Sequence, residues 1–127
     1  MKGTPGAAQR STRRAGTQLP RYLDVGEKLF RVAVCETEEL EPLGSTEPNA
    51  FGLYDMLGSV WEWVWDGYGP YPKELAVDPI CNETSATRVL RGGCYEDAPK
   101  DIRCAKRYCA HSTSGSSIIG FRVCVSA

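Results

Sequence analysis

Residues 49–66, NAFGLYDMLGSVWEWVWD, form the densest run of aromatic and apolar side chains in the chain and decide its fold. Trp61, Trp63 and Trp65 occupy every second position, which is the period of a β-strand. The alternation predicts three indoles on one face of the strand and the Glu62 carboxylate on the other. Because a row of aromatic side chains on a strand is usually buried, we expect the indoles to lie in the core.

Three further strands are predicted around this segment. Residues 29–34, LFRVAV, alternate apolar side chains onto one face, namely Phe30, Val32 and Val34. A strand at residues 88–91 ends at two glycines that permit a tight turn, and a last strand is expected at 118–125. The stretch from 96 to 117 is polar and is expected to be a loop. The pattern indicates short strands joined by irregular segments.

Length and composition place the chain in the class of small globular domains. A chain of 127 residues is long enough for one domain with a core and too short for two full domains. Its hydrophobic share of 42% and charged share of 24% are ordinary for such a domain. No run approaches the roughly 20 apolar residues of a membrane-spanning helix, so no membrane span is predicted.

Charge is distributed unevenly along the chain. Four of the 15 basic residues and no acidic residue lie in residues 1–20, which leaves 11 basic against 16 acidic residues in the remainder. The leader is rich in Gly, Ser and Thr, a composition typical of a solvated end, so no nucleic-acid partner is predicted. It also lacks the apolar h-region of a secretory signal. We predict a disordered basic leader at 1–20 and a single domain at 21–127.

The six cysteines do not form a zinc-site pattern. None of their spacings is C-x-x-C and the chain has one histidine, so a structural zinc site is not predicted. Six cysteines allow about 15 disulfide connectivities, and the sequence does not choose between bonded and free thiols.

Three blocks carry a resemblance to a known family. They are NAFGLYDMLG with the VWEW that follows it, RVLRGG at 88–93, and R-x-A-x-R at 103–107 leading to GFR at 120–122. In this order they resemble the C-terminal half of the formylglycine-generating enzyme (sulfatase-modifying factor) family, a branch of the C-type lectin fold. The resemblance covers about residues 48–124. It implies an α+β domain with a truncated C-type-lectin-like fold, short strands and much irregular structure.

Three arginines in these blocks are expected to be structural. Arg91, Arg107 and Arg122 are predicted to form ion pairs with carboxylates such as Asp55 or Glu62.

The family's enzymes oxidise a sulfatase cysteine at a copper(I) site made of two cysteines five residues apart. Counting back from Gly120 places Cys104 at the second of these positions and Pro99, which cannot bind a metal, at the first. Cys104 and Cys109 have the five-residue spacing but lie out of this register. We therefore predict that the chain is not an enzyme and requires no cofactor, and copper-dependent sulfatase-cysteine oxidation is the alternative.

The resemblance also implies a structural calcium ion. In the family, backbone carbonyls and side chains of one turn bind the ion. The matching positions are Leu57, Gly58, Val60 and Glu62, of which Glu62 provides the carboxylate oxygen that calcium favours. The family's Asn in this turn is replaced by Ser59.

Residues 108–119, YCAHSTSGSSII, have a biased composition. They contain no Lys, Glu, Gln, Met or Trp, the five residues that randomising the first two bases of an AAY codon cannot produce. This resembles the variable proteins of diversity-generating retroelements, which use the same lectin-like branch and vary between the RGG and GFR blocks. The resemblance implies a non-catalytic ligand-binding protein with a variable region at about 95–118.

The predicted contact residues lie in this variable region. Tyr95 and Tyr108 would be rigid aromatic anchors, and the Ser and Thr side chains would supply adaptable hydrogen bonds. The resemblance implies a macromolecular or cell-surface ligand, a protein, and display on a virion or cell surface. A non-catalytic accessory domain of a longer chain is the third alternative. The full set is Tyr95, Asp97, Ala98, Asp101, Tyr108, Ala110, His111, Ser112, Thr113, Ser114, Ser116 and Ser117.

Overall fold

A computed structural model describes residues 27–77, 79–81 and 85–125, and the predicted leader at 1–20 lies outside them. Its regular elements are few and short, and most of the described chain is loop. No helix in these ranges is long and apolar enough to cross a membrane. In chain order the elements are α1 Glu27–Phe30, β1 Ala33–Val34, β2 Leu57–Gly58, β3 Trp61–Gly67, β4 Thr87–Arg91, a 3-10 helix Pro99–Asp101, β5 Tyr108–His111 and β6 Ile119–Gly120.

The strands form two sheets. β1 and β2 pair in parallel, with Val34 opposite Gly58. The larger sheet has the order β5-β4-β3-β6, in which β4 is antiparallel to both β3 and β5. β6 runs parallel to β3, with Ile119 opposite Trp61. Short strands with one short helix confirm the predicted α+β class.

The core consists of two apolar clusters rather than one large layer. The first lies between α1, β1 and β2 and includes Leu29, Ala33, Cys35, Leu57 and Ile102. The second lies on the larger sheet, where Trp61, Leu90 and Cys94 are buried and four partly buried residues pack around them. Those four are Trp63, Ala110, Ile118 and Ile119.

The predicted strand at 29–34 is wrong in its first half. The chain forms the helical turn α1 up to Phe30, and the Val32 amide donates to the Leu29 carbonyl at 3.0 Å. This turn buries Leu29 and exposes Phe30, whereas the predicted alternation would have buried Phe30. Burial of the adjacent Ala33 and Val34 also conflicts with strict alternation.

The C-terminal half of the polar stretch and the last predicted strand also differ from expectation. Residues 108–111, expected to be loop, form β5, because their backbone groups pair with β4 and Ala110 packs on the second cluster. The last strand is limited to Ile119–Gly120. Beyond it, three apolar side chains are exposed instead of packed, those of Phe121, Val123 and Val125.

The three tryptophans do not share one environment. Trp61 is buried and Trp63 is half-buried, as expected, but 55% of the Trp65 surface is exposed, so its assignment to the core is wrong. The pairing of β3 with β4 is irregular between Trp63 and Gly67. A bulge of this kind breaks the regular alternation of faces and leaves Trp65 at the edge of the core.

Candidate ligand-binding surface

One face of the larger sheet supports the predicted contact residues. Trp63 lies opposite Leu90 across β3 and β4, and Leu90 lies opposite Tyr108 across β4 and β5. Cross-strand partners point to the same side of a sheet, so these three side chains define what we call the front face. Val89 and Arg91 alternate with Leu90 and therefore belong to the back face.

Tyr108 is a half-exposed aromatic residue on a fixed base. Its ring centroid lies 5.5 Å from that of Trp61, which is buried, and 53% of the Tyr108 surface is open to solvent. The Lys106 ammonium lies 5.5 Å from the Trp61 ring centroid and forms ion pairs with Asp97 and Asp101. Aromatic and cation contacts hold Trp61 in place beneath Tyr108, and the role of Tyr108 as a ligand anchor stays a prediction.

The loop after β5 is ordered by its own hydrogen bonds. His111 Nδ1 lies 2.8 Å from the Thr113 hydroxyl, and the Ser114 amide donates to the His111 carbonyl at 2.8 Å. The Ser112 amide donates to the Ala86 carbonyl just before β4 at 2.8 Å. The backbone is therefore tied to the sheet while the side chains of residues 111–117 are exposed. With Tyr108, the exposed predicted contacts are His111, Ser112, Thr113, Ser114, Ser116 and Ser117.

Tyr95, the other predicted anchor, is 7% exposed, so its expected role as a surface contact is corrected. Its backbone also joins two other segments: its amide donates to the Ser59 carbonyl after β2, and its carbonyl accepts from the Thr37 amide after β1.

Four other predicted contacts are only partly exposed and have structural partners. Asp97 accepts a hydrogen bond from the Cys94 amide at 2.9 Å. Asp97 and Asp101 both form ion pairs with Lys106. Ala98 precedes the 3-10 helix, and Ala110 packs on the second core cluster. These positions support the surface more than they form it.

A groove adjoining the surface was missed by the sequence reasoning. It has a volume of about 330 Å³ and is lined by Trp63, Val64, Trp65, Arg88 and Ser112. The Arg88 guanidinium carbon lies 5.9 Å from the Trp65 ring centroid, and its Nη1 donates to the Trp65 carbonyl at 3.0 Å. Ser112 connects this aromatic groove to the exposed loop. The local sequence does not distinguish the exposed Trp65 from the buried Trp61, because the bulge that accompanies the exposure arises where β3 pairs with the distant β4.

The three arginines make structural contacts, and Arg122 has the kind of partner that was predicted. Arg122 donates to both carboxylate oxygens of Glu62 at 2.7 to 3.2 Å and confirms that ion pair. Arg91 donates to the carbonyls of residues 104–106. Arg107 lies against two tyrosine rings and donates to a carbonyl, so within the described residues its predicted carboxylate pair is replaced by aromatic contacts.

Comparison with known proteins assigns these residues to a family. Residues 7–127 match the model of the sulfatase-modifying factor enzyme 1-like domain. The chain belongs to the sulfatase-modifying factor family. The match begins at residue 7, inside the predicted leader, and covers all six strands.

Curated relatives in this family are much longer proteins. The chain is 40% identical over 90 residues to the serine/threonine-protein kinase pkn1 of Chlamydia pneumoniae, a match that covers 68% of this chain and 14% of the kinase. It is also 40% identical over 86 residues to the formylglycine-generating enzyme of Streptomyces coelicolor, covering 64% and 27% of the two chains. The chain spans less than a third of the length of these relatives.

Solved structures share the fold. Treponema denticola variable protein 1 superimposes with a TM-score of 0.76 at 22% identity and covers 94% of this chain and 45% of its own. PvdO from Pseudomonas aeruginosa gives a TM-score of 0.73 at 27% identity, with coverages of 94% and 50%. The predicted truncated fold of the formylglycine-generating type is confirmed.

The residues at the family's calcium positions fit the ion poorly. Leu57, Gly58 and Val60 can offer calcium only backbone carbonyls, and the one carboxylate of the set, that of Glu62, is held by the Arg122 guanidinium. Calcium takes six to eight oxygen ligands, and a guanidinium at the carboxylate repels a cation. The described residues contain no group of three or more His, Cys, Asp or Glu that could hold a metal.

We expect calcium to leave the stability of the protein unchanged. A site with a dissociation constant of 1 mM would raise the free energy of unfolding by about 1.4 kcal/mol in 10 mM Ca²⁺. We expect instead the same midpoint urea concentration of unfolding in 10 mM CaCl₂, in EDTA and in the control solution with MgCl₂. A rise specific to calcium would show that Glu62 releases Arg122 to bind the ion.

The cysteines also fit the family's copper(I) site poorly. All six thiols are free, and Cys104 packs against the first core cluster. Burial raises the pKa of the Cys104 thiol, which opposes the thiolate that copper(I) requires. Cys109 lies in β5 opposite Val89, on the back face, and Pro99 begins the 3-10 helix.

Proposed function

We propose that this protein is a non-catalytic ligand-binding protein whose variable contact surface is the front-face edge formed by Tyr108 and residues 111–117. One observation carries the proposal. Tyr108 and residues 111–117 lie in the compositionally biased stretch and are exposed on a backbone that is tied to a packed sheet. A fixed backbone with exposed side chains is what a surface of changeable sequence needs.

The chemistry of the surface suits a protein ligand. Tyrosine provides a large contact area at low entropic cost, and serine and threonine hydroxyls adapt their hydrogen bonds, as in antibody loops. The groove at Trp63 and Trp65 adds aromatic area next to the hydroxyl-rich loop. Large aromatic side chains surrounded by polar groups are typical of the centres of protein interfaces.

The fold shared with Treponema denticola variable protein 1, which is named as a variable protein, supports the proposal. The diversity-generating retroelement group that the sequence resembles uses the same scaffold. The poor fit of Cys104 and Pro99 to a copper site argues in the same direction.

A second candidate is an accessory domain within a longer chain. The matches to Chlamydia kinases support it, because the matched region is 14% of the Chlamydia pneumoniae kinase. In that case the same surface would bind one fixed partner.

Sequencing this gene across a population of its source organism separates the two candidates. Under the proposal, substitutions fall at the exposed codons of 108 and 111–117, while the RGG and GFR blocks stay constant. Tyr95 is a matched internal control for Tyr108, because both are tyrosines in the predicted variable region at 95–118 but, of the two, only Tyr108 is exposed. Tyr95 should stay constant where Tyr108 varies. An invariant stretch at 108–117 would contradict variability and leave the accessory domain.

A further inference from the structure

The edge of the larger sheet at β6 continues into an exposed apolar segment. β6 is an outer strand in the order β5-β4-β3-β6, and residues 121–125, FRVCV, follow it directly. The side chains of Phe121, Val123 and Val125 are between 77% and 93% exposed. We call residues 121–125 the edge segment.

The edge segment is held at one point and is otherwise unpaired. Outside the strands, no backbone hydrogen bond between described residues involves residues 121–125. Arg122 donates to both Glu62 carboxylate oxygens and to the carbonyls of Tyr54 and Asp55. Arg122 therefore faces the protein, whereas Phe121 and Val123 on either side of it face solvent. The segment lies next to β3 with backbone groups that another strand can bind.

The usual protection of a sheet edge is absent from the edge segment. Exposed edges are commonly protected from pairing with another chain by outward charges or by proline. Residues 121–125 contain no proline, and their one charged side chain, that of Arg122, is turned onto Glu62. A row of apolar side chains beside unpaired backbone groups is the kind of edge to which another strand adds.

The edge segment is complementary to a second copy of itself. In an antiparallel pair centred on Val123, Phe121 of one copy lies opposite the partner's Val125, and Arg122 lies opposite the partner's Cys124. The apolar side chains of both copies then share one face of the pair. No like charges face each other, because the arginine opposes a thiol and is already paired with Glu62.

We infer that two copies of this chain pair along the edge segment and form a two-fold symmetric dimer. Two phenylalanine and four valine side chains, with their backbone, amount to roughly 800–1,000 Å² of buried surface, which is the range of weak interfaces. The expected dissociation constant is therefore about 10–100 μM. Two-fold pairing uses the same edge of both copies, so the assembly closes at two.

The dimer goes beyond the proposed function and does not rest on it. Tyr108 belongs to β5, at the opposite edge of the sheet from β6, so pairing at the edge segment leaves it exposed. The dimer thus displays two copies of the front-face surface. Two linked surfaces bind a repetitive ligand more strongly than either surface alone.

Sedimentation equilibrium of the full chain under reducing conditions, from about 5 to 500 μM, tests the dimer. The expected result is a monomer–dimer equilibrium without larger species. Val123→Lys places like charges opposite each other at the two-fold axis and should weaken association by about tenfold or more. Leu75→Lys adds the same charge at a fully exposed position outside the edge segment and should leave association unchanged. A monomer at every concentration, larger assemblies, or equal effects of the two lysines would overturn the inference.

Disulfide cross-linking tests the register of the pair. In a Cys124→Ser background, Val123→Cys puts two thiols directly opposite each other, at a Cα separation of about 4.5–5.5 Å that a disulfide can bridge. Mild oxidation should give covalent dimers of this variant, whereas Leu75→Cys in the same background should stay monomeric. Unfolding would expose the other thiols of both variants alike and so cannot mimic the difference. If residues 1–26 of the same chain cover the segment, the thiol at position 123 will stay unreactive, which would refute the dimer without touching the front-face proposal.

Discussion

Replacing Leu90 with alanine is expected to lower the free energy of unfolding by about 2–5 kcal/mol. Leu90 is 0% exposed and packs in the second core cluster with Trp61 and Cys94. It also lies on β4, between β3 and β5, where it is the cross-strand partner of Trp63 on one side and of Tyr108 on the other. Truncation leaves a cavity that neighbouring strands cannot fill by small movements, because each is fixed to β4 by backbone pairing.

Urea unfolding followed by tryptophan fluorescence measures this loss. Leu75→Ala is the matched control, because Leu75 is fully exposed in the loop behind the sheet and its truncation should change stability by less than about 0.5 kcal/mol. Equal effects of the two substitutions would show that the second cluster does not hold the sheet together. The outcome bears on the proposed contact surface, because the Tyr108 ring contacts Trp61 and Trp61 packs in one cluster with Leu90.

The sequence predicted those features that depend on local pattern or on one strong pairing preference. The strand around Trp61 follows from alternation, and the ion pair of Arg122 with Glu62 is of the guanidinium–carboxylate kind predicted for the three arginines. Within the compositionally biased stretch, Tyr108 and residues 111–117 are exposed, whereas Cys109 and Ala110 are partly buried.

Features that depend on how distant segments meet could not be predicted. The exposure of Trp65 accompanies an irregularity in the pairing of β3 with β4, and Tyr95 is buried where its backbone bonds to Ser59 and Thr37. The contact of Arg107 with the Tyr71 ring brings together residues that are 36 positions apart in sequence. Neither residue carries a local signal of that proximity.

Replacing Gly58 with alanine is expected to cost about 4 kcal/mol or more, enough to leave much of the protein unfolded. Gly58 has a φ of +71°, and an added Cβ would lie 1.8 Å from the Val34 carbonyl oxygen. That oxygen belongs to backbone and accepts the Ser59 amide at 2.8 Å, so it cannot turn aside. Alanine would force β1 away from β2 and open the first core cluster. Thermal unfolding by circular dichroism, with refolding yield, measures the effect.

Gly44→Ala separates the steric clash from the backbone preference. Gly44 also has a positive φ, +81°, but its added Cβ would meet nothing within 4 Å, so this substitution should cost only the 1–2 kcal/mol, roughly, of a left-handed alanine. The difference between the two variants then measures how firmly β1 is held against β2. Because β2 leads directly through Ser59 to Trp61, a large difference would mean that the front-face surface depends on this small sheet for its orientation. Equal costs would mean that β1 can separate from β2 without disturbing the larger sheet.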